Sequence, residues 1–351
     1  MRHLPLPPEG IDFYSNDYLG FAKSKTLKEC IHIETREAPP DSGATGSRLL
    51  SGNSQYAESV EKKIATFHNA EAALIYPSGY TANLGLISCL ATNEATLIMD
   101  ELVHASLIDG ARLGRSDKIR FKHNDAVDLE NQLQKVKGQK LVIVESVYSM
   151  DGDTCPLGEV AELCERYKAM LIVDEAHAIG VFGPDGSGLV QALGLEDRVM
   201  TRIMTYGKAP GIHGAAVVGP RWLKEYQTNF SRSLIFSTAP PPHHFGSIAG
   251  LYRHLPNTDN LRVQLAGVVD YFSKKRTKHH LKWLPSRSHI QSLIVPGNEE
   301  VIQVASTLRE AGINALPIRI PSVPKGMERI RFCLHAYNSK EEIDLLFETL
   351  K

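Results

Sequence analysis

The chain has 351 residues, 42% of them hydrophobic and 23% charged, the composition of an ordinary globular protein with room for one large domain and a smaller one. A formal net charge of −1 leaves no electrostatic footprint for nucleic acid or for an anionic membrane surface, and the run Lys274-Lys275-Arg276-Thr277-Lys278 reads as a solvated face. Five scattered cysteines without a CxxC pair argue against a zinc knuckle or a disulfide framework, so no metal is expected.

The opening MRHLPLPPEGIDF lacks the apolar core of a signal peptide, and no apolar run approaches the roughly 20 residues needed to span a bilayer. A cytoplasmic, membrane-free protein is the expectation. Proline and turn residues dominate up to Gly20, and DSGATGSRLLSGNS (41–54) reads as loop. Alternation follows. Residues 59–68 form an amphipathic helix pattern, AALIY (72–76) a buried strand, SGYTANLGLISCLA a turn and helix, and ATLIMD (95–100) a strand. HASLIDGARLG reads as helix, KIRFK as strand, 126–137 as helix, LVIVES (141–146) as strand, VAELCERYKA as helix and MLIVDE (170–175) as strand. β-branched runs alternating with helices predict an α/β protein with a mostly parallel central sheet flanked by helices. From about Pro240 a helix candidate, then RIRFCLHA and SKEEIDLLFETLK, predict a smaller α+β domain. The expected division is an N-terminal segment 1–40, a large domain 41–240 and a C-terminal domain 241–351.

Two strings carry chemistry. TYGKAPGIHGAAV (205–217) holds Lys208, whose amine can form a Schiff base with an aldehyde cofactor. LIVDEAHAIG (171–180) places Asp174 at the carboxyl end of an apolar strand, where ligands bind in open α/β sheets, with His177 three residues on. A buried carboxylate can hold a pyridine nitrogen protonated, so the pair meets the needs of pyridoxal 5′-phosphate (PLP). An N-cap aspartate and a satisfied core histidine are the plainer reading of the second string. DEAH also occurs in helicases, but those need a GxxxxGK[ST] phosphate loop, and the chain has none.

The small residues of SGYTAN (78–83), at a strand-to-helix junction, can present backbone N–H groups to a phosphate, and Thr205 could add a hydroxyl. His104 follows the strand ATLIMD, where an imidazole could stack on a flat ring. In RIRF either Arg329 or Arg331 could take a substrate carboxylate through two parallel hydrogen bonds; a surface arginine in an ion pair is the alternative.

The ordered set SNDYLG (15–20), TGSRLLSG (45–52), SGYTAN, DELVHAS, ESVYSMDGD (145–153), VDEAHAIG, TYGKAPGIHGAAV, FSTAPPP (236–242) and RIRF resembles the α-oxoamine synthase family. The resemblance runs from about residue 12 to the C-terminus. It implies a fold-type I PLP-dependent enzyme that condenses an amino acid with an acyl-CoA, or an acyl-carrier protein thioester, and releases CO2. It makes Lys208 the Schiff-base lysine and general base, Asp174 the partner of the pyridinium nitrogen, His177 a contact of the ring's phenolic oxygen, and His104 the stacking residue. Ser78, Gly79 and Tyr80 would lie around the cofactor, with Thr205 on its phosphate. Glu145 and Ser149 match an element bordering the ring. Asn16 and Arg331 would hold the amino-acid carboxylate. The family's sites sit at a homodimer interface, which gives Thr238 a place on the phosphate of the neighbouring subunit's cofactor.

Gly207 before the lysine and GAAV after it are most similar to the branch of the family that uses alanine and a pimeloyl thioester. Glycine acetyl transfer, serine palmitoyl transfer and a catalytically silent structural subunit are the alternatives. The chain departs from the family in a short N-terminal segment, in Ala57 where histidine is frequent, and in HAYNSKEE near the end. None of these removes a catalytic part.

Overall fold

The computed structural model describes residues 9–351; the reading of the opening MRHLPLPP lies outside them. The chain forms two compact units. The larger comprises Phe21–Tyr148 and Cys155–Asp259 and is built on a seven-stranded sheet. From one edge to the other its strands are Ala72–Tyr76, Ala215–Gly219, Thr201–Thr205, Ala169–Asp174, Gln139–Glu145, Ala95–Asp100 and Asp117–Phe121. Only Ala215–Gly219 runs against its neighbours; the other pairings are parallel.

The expected strands are present, and their near-continuous apolar runs reflect burial on both faces. One face packs Leu97, Ile143, Ile172 and Ile203 under the helix Gly79–Leu90, and the other packs Val142, Val144 and Val173 against Leu129, Val160 and Leu195. Polarity returns at the carboxyl ends. Thr205, Asp174, Glu145 and Asp100 terminate four successive strands, and Glu145 is in register with Asp174. The helix Gly79–Leu90 starts beside this edge with Ser78 as its N-cap and Thr81 closing a capping box, so its positive end lies over the polar rim.

The smaller unit gathers the described residues up to Gly20, Ser149–Thr154 and Asn260–Lys351. Its three-stranded antiparallel sheet orders Leu316–Ile318, Arg329–Cys333 and Ile290–Ile294, with helices Asn298–Glu310 and Lys340–Thr349 after its strands. Phe272, Trp283, Phe332 and Phe347 form its aromatic centre. The N-terminal Ile11–Asp12 joins by parallel pairing with Ile313–Asn314. The expected α+β character is present. No helix among the described residues is long and apolar enough to cross a membrane.

The units divide the chain elsewhere than at 40 and 240. Helix Pro242–His254 stays with the larger unit because it packs on Lys25–Arg36, a helix absent from the sequence reading. The contact is glycine-mediated: a Cβ on Gly246 would meet Thr35 Oγ1 at 2.7 Å, and one on Gly250 would meet Ile31 Cα at 2.6 Å. Gly250→Ala therefore gains about 1 kcal/mol of helix propensity but forces the backbones apart at a cost of about 1–3 kcal/mol, for a net loss. Urea denaturation should show a lower midpoint for this variant, and an unchanged or higher one would mean that the two helices can separate freely.

Candidate active site

A cleft at the carboxyl edge of the large sheet is lined by Gly79, Tyr80, Asn83, His104, Ser106, Glu145, Asp174, Ala176, His177, Thr205 and Lys208. It thus brings together Lys208, Asp174, His177, His104, Gly79, Tyr80 and Thr205 from the sequence reading. Lys208 sits on the turn that reverses the chain from Thr201–Thr205 into Ala215–Gly219. Gly211 N–H donates to the Lys208 carbonyl (2.8 Å), and Ile212 N–H donates to that of Tyr206 (3.1 Å). Gly211 adopts φ +67°, and a Cβ there would meet the Ala22 nitrogen at 2.4 Å, so this turn demands glycine.

Asp174 is 3% exposed and both its oxygens accept: Oδ1 from the Ala176 N–H (2.9 Å) and Oδ2 from Asn83 Nδ2 (2.7 Å). Glu145, on the neighbouring strand and equally buried, has a different environment. One oxygen takes the backbone N–H of His104, and Oε1 has no hydrogen-bond partner among the described residues. Burial first, then the nearby Asp174 charge, pushes its carboxyl up to about 8, against the pull of Lys208. Two carboxylates sharing so dry a place cannot both be charged at low cost, and the hydrogen bonds select Asp174 as the anion.

The adjacent Glu175 of the same DEAH string does structural work. Its carboxylate accepts from Leu189 N–H (2.6 Å) and Val190 N–H (2.9 Å), and a Cβ on Gly188 would strike it. His104 caps helix Ala105–Leu113, its Nδ1 accepting from Ser106 N–H (3.2 Å), with part of its ring exposed. Desolvation of the inward side lowers its pKa. Gly79 touches the far end of the cleft: a Cβ there would lie 2.3 Å from Thr205 Oγ1. The helix N-terminus and the Thr205 hydroxyl therefore form one small cradle of donors. Tyr80 is exposed and its hydroxyl donates to Asp109.

The remaining sequence candidates lie outside this lining. Ser78 is occupied in its capping box. Ser149 lies in the turn that belongs to the smaller unit, and Thr238 is exposed on the loop after Arg232–Ile235. In the smaller unit the two arginines of RIRF part company. Arg329 is paired with Asp151, whereas buried Arg331 donates to Asn16 Oδ1 (2.8 Å) and has no carboxylate partner among the described residues. Sequence reasoning missed Asn83 and Ser106. The available signal was spacing, since Asn83 stands one helical turn after Gly79 and Ser106 follows His104 by two.

The aminotransferase class I and II family model matches residues 8–350. The chain belongs to this family. Within it, the resemblance to α-oxoamine synthases holds over nearly the whole length. The 8-amino-7-oxononanoate synthase of Emericella nidulans is 39% identical over 368 aligned positions, covering 98% of this chain and 89% of the relative. The 8-amino-7-oxononanoate synthase structure from Francisella tularensis superposes with a TM-score of 0.83 at 27% identity, covering 97% of this chain and 96% of the other. A serine palmitoyltransferase from S. paucimobilis, solved with a bound PLP–myriocin aldimine, gives 0.90 at 28% identity over 97% and 86%. The expected architecture is thus that of the fold-type I transferases.

The two buried carboxylates generate a pH test on the cofactor-free protein. An unfolded glutamate titrates near pH ~4.3, whereas Glu145 keeps its proton up to about 8. Between these values the native state binds one more proton than the unfolded state, so stability falls as pH rises and levels off above the folded pKa. Glu145→Gln mimics the neutral acid and lacks this dependence. The wild type should lose stability relative to the variant by up to about 1.4 kcal/mol per pH unit across that window. Parallel melting curves for the two proteins from pH 5 to 8 would contradict a protonated Glu145.

Proposed function

We propose that this family member is a PLP-dependent acyltransferase that condenses L-alanine with a pimeloyl thioester, giving 8-amino-7-oxononanoate, the free thiol carrier and CO2, a step of biotin synthesis. The observation that carries the reading is near-full-length identity with relatives of that name, in a chain that keeps Lys208 and Asp174. The serine palmitoyltransferase likeness, at 28% identity, is weaker in sequence than the 39% of the Emericella nidulans relative. A silent subunit would not need both residues in one cleft.

The lining suits the cofactor. The Gly79–Thr205 cradle is an anion site made of backbone and hydroxyl donors, where any added Cβ would intrude. The buried, doubly hydrogen-bonded Asp174 suits a pyridinium nitrogen. Bound PLP supplies a carbonyl that captures the substrate amine and a ring that accepts the electrons of a carbanion.

The chain's own residues divide the remaining work. Lys208 Nζ would hold the cofactor covalently, and the freed amine would take the Cα proton of the amino acid and return one to the same carbon. Asp174 would keep the proton on the pyridine nitrogen, His177 would donate to the phenolic oxygen, and His104 would cover one face of the ring. Gly79, Tyr80 and Ser78 would shape the phosphate end, with Thr205 as a direct donor. Arg331, with Asn16, would receive the amino-acid carboxylate. Its guanidinium suits that role because burial without a carboxylate partner among the described residues leaves it a charge to satisfy. Ser149 would border the ring.

A second copy of the chain completes the site in this reading. Thr238 is flanked by Phe236 (71% exposed), and Ala239 N–H donates to the Gly46 carbonyl of the loop bearing Leu50 (81% exposed). Such large apolar side chains on adjoining loops suit a homodimer interface, with Thr238 reaching the other copy's cofactor. A cytoplasmic location fits the substrates. Either CoA or a carrier protein can deliver the pimeloyl group.

Lys208→Ala should abolish turnover with the fold intact by circular dichroism. In the wild type, borohydride should fix PLP to the peptide bearing Lys208. Product formation from alanine, glycine and serine, each with pimeloyl-CoA, should be highest for alanine. Activity confined to glycine or serine would transfer the assignment to the corresponding branch, and residual wild-type turnover in Lys208→Ala would end the lysine assignment.

A further inference from the structure

We infer that Asn83 and Ser106 are positioning residues that link Asp174 to His104 through a directed hydrogen-bond chain, holding His104 as a neutral imidazole with its proton on Nε2. Asn83 is 2% exposed, and its Nδ2 lies 2.7 Å from Asp174 Oδ2 and 2.9 Å from Ser106 Oγ. Turning the amide over would set its oxygen against the carboxylate, so the NH2 faces Asp174 and spends its two hydrogens on these two acceptors. Ser106 Oγ keeps a second lone pair, but His104 Nδ1 already accepts from the Ser106 backbone N–H, so the hydroxyl is the donor along the 2.8 Å contact to Nδ1.

The Ser106 backbone N–H reaches the same nitrogen at 3.2 Å. With two donors directed at it, Nδ1 cannot carry a proton, which leaves Nε2–H as the tautomer. Desolvation of the ring works in the same direction, against imidazolium. The charged and titratable groups around His104 are Asp174, Lys208, Asp109 and Glu145; the first and third favour its protonation, the second opposes it, and Glu145 is the neutral acid.

The geometry depends on a close helix pair. Gly110, on the helix after His104, approaches Asn83 so nearly that a Cβ would lie 3.0 Å from the Asn83 carbonyl oxygen and 2.9 Å from Ile87 Cβ. That approach lets a side chain of helix Gly79–Leu90 reach the first turn of helix Ala105–Leu113. The consequence for catalysis rests on the PLP reading: a neutral ring covers the cofactor without adding positive charge beside Lys208. The tautomer itself does not rest on that reading.

The test is 1H–15N NMR of cofactor-free protein labelled with 15N-histidine, with His104 assigned by its loss in His104→Gln. Wild type should show Nε2–H and an unprotonated Nδ1 for His104 at neutral pH, with a titration midpoint below the ordinary histidine range. Ser106→Ala should raise the Nδ1–H population of His104 several-fold and raise its midpoint. Asn83→Ala should shift both the same way and carries the same reading if Ser106→Ala does not fold. An Nδ1–H signal for His104 in the wild type, or wild-type His104 signals in both variants, would overturn the inference. Failure to take up PLP would sink the proposed function while leaving these spectra unaffected.

Discussion

The register that sets Glu145 beside Asp174 is the constraint on which the rest of the cleft depends. Two acids at the ends of adjacent parallel strands, each almost fully buried, cannot share one dry edge as two anions. The surrounding donors are unequal. Asp174 has the Ala176 N–H and the Asn83 amide, whereas among the described residues Glu145 has one backbone N–H and an oxygen without a hydrogen-bond partner. The proton therefore belongs on Glu145, and a single negative charge is fixed at the centre of the sheet edge. The Asn83 orientation follows from that sign, and the chain it begins meets at Ser106 a ring nitrogen that already accepts from the Ser106 N–H.

Much of the large unit could be read from the chain, because strands buried on both faces announce themselves as short apolar runs and the carboxyl ends are where the polar letters return. Asp174, His104, Thr205 and Lys208 each stand immediately after such a run or within a few residues of one, and the cleft contains them all. The strands Thr201–Thr205 and Ala215–Gly219 escaped notice. Their antiparallel pairing is made by a tight, glycine-dependent turn whose composition resembles any loop. Asn83 and Ser106 were also hidden. Their meeting is set by how closely two helices cross, which depends on Gly110, one turn beyond Ser106 but far from Asn83 in the sequence.

The division into units shows the same limit. Composition shifts mark loops, but loyalty to one core or another is decided by packing. Gly246 and Gly250 hold helix Pro242–His254 against Lys25–Arg36, and the two-residue pairing of Ile11–Asp12 with Ile313–Asn314 draws the N-terminal segment to the C-terminal unit. Both are contacts between distant stretches of the chain. No window of local sequence carries them.

Neighbouring residues of one type can take opposite roles for physical reasons that only partners reveal. Asp174 and Glu175 are adjacent acids. One faces the cleft, and the other is consumed by the N–H groups of Leu189 and Val190. Arg329 and Arg331 share a strand face, since side chains two apart point the same way. Arg329 is neutralised by Asp151, so a substrate carboxylate would have to displace an existing ion pair. Among the described residues Arg331 donates to the Asn16 carbonyl oxygen and the Tyr18 hydroxyl, both neutral. A buried guanidinium held by neutral groups has incurred its desolvation cost without the compensating charge, and an incoming carboxylate meets no competitor there. That difference in partners, which the RIRF motif alone cannot express, is what favours Arg331 over Arg329 in the proposed reading.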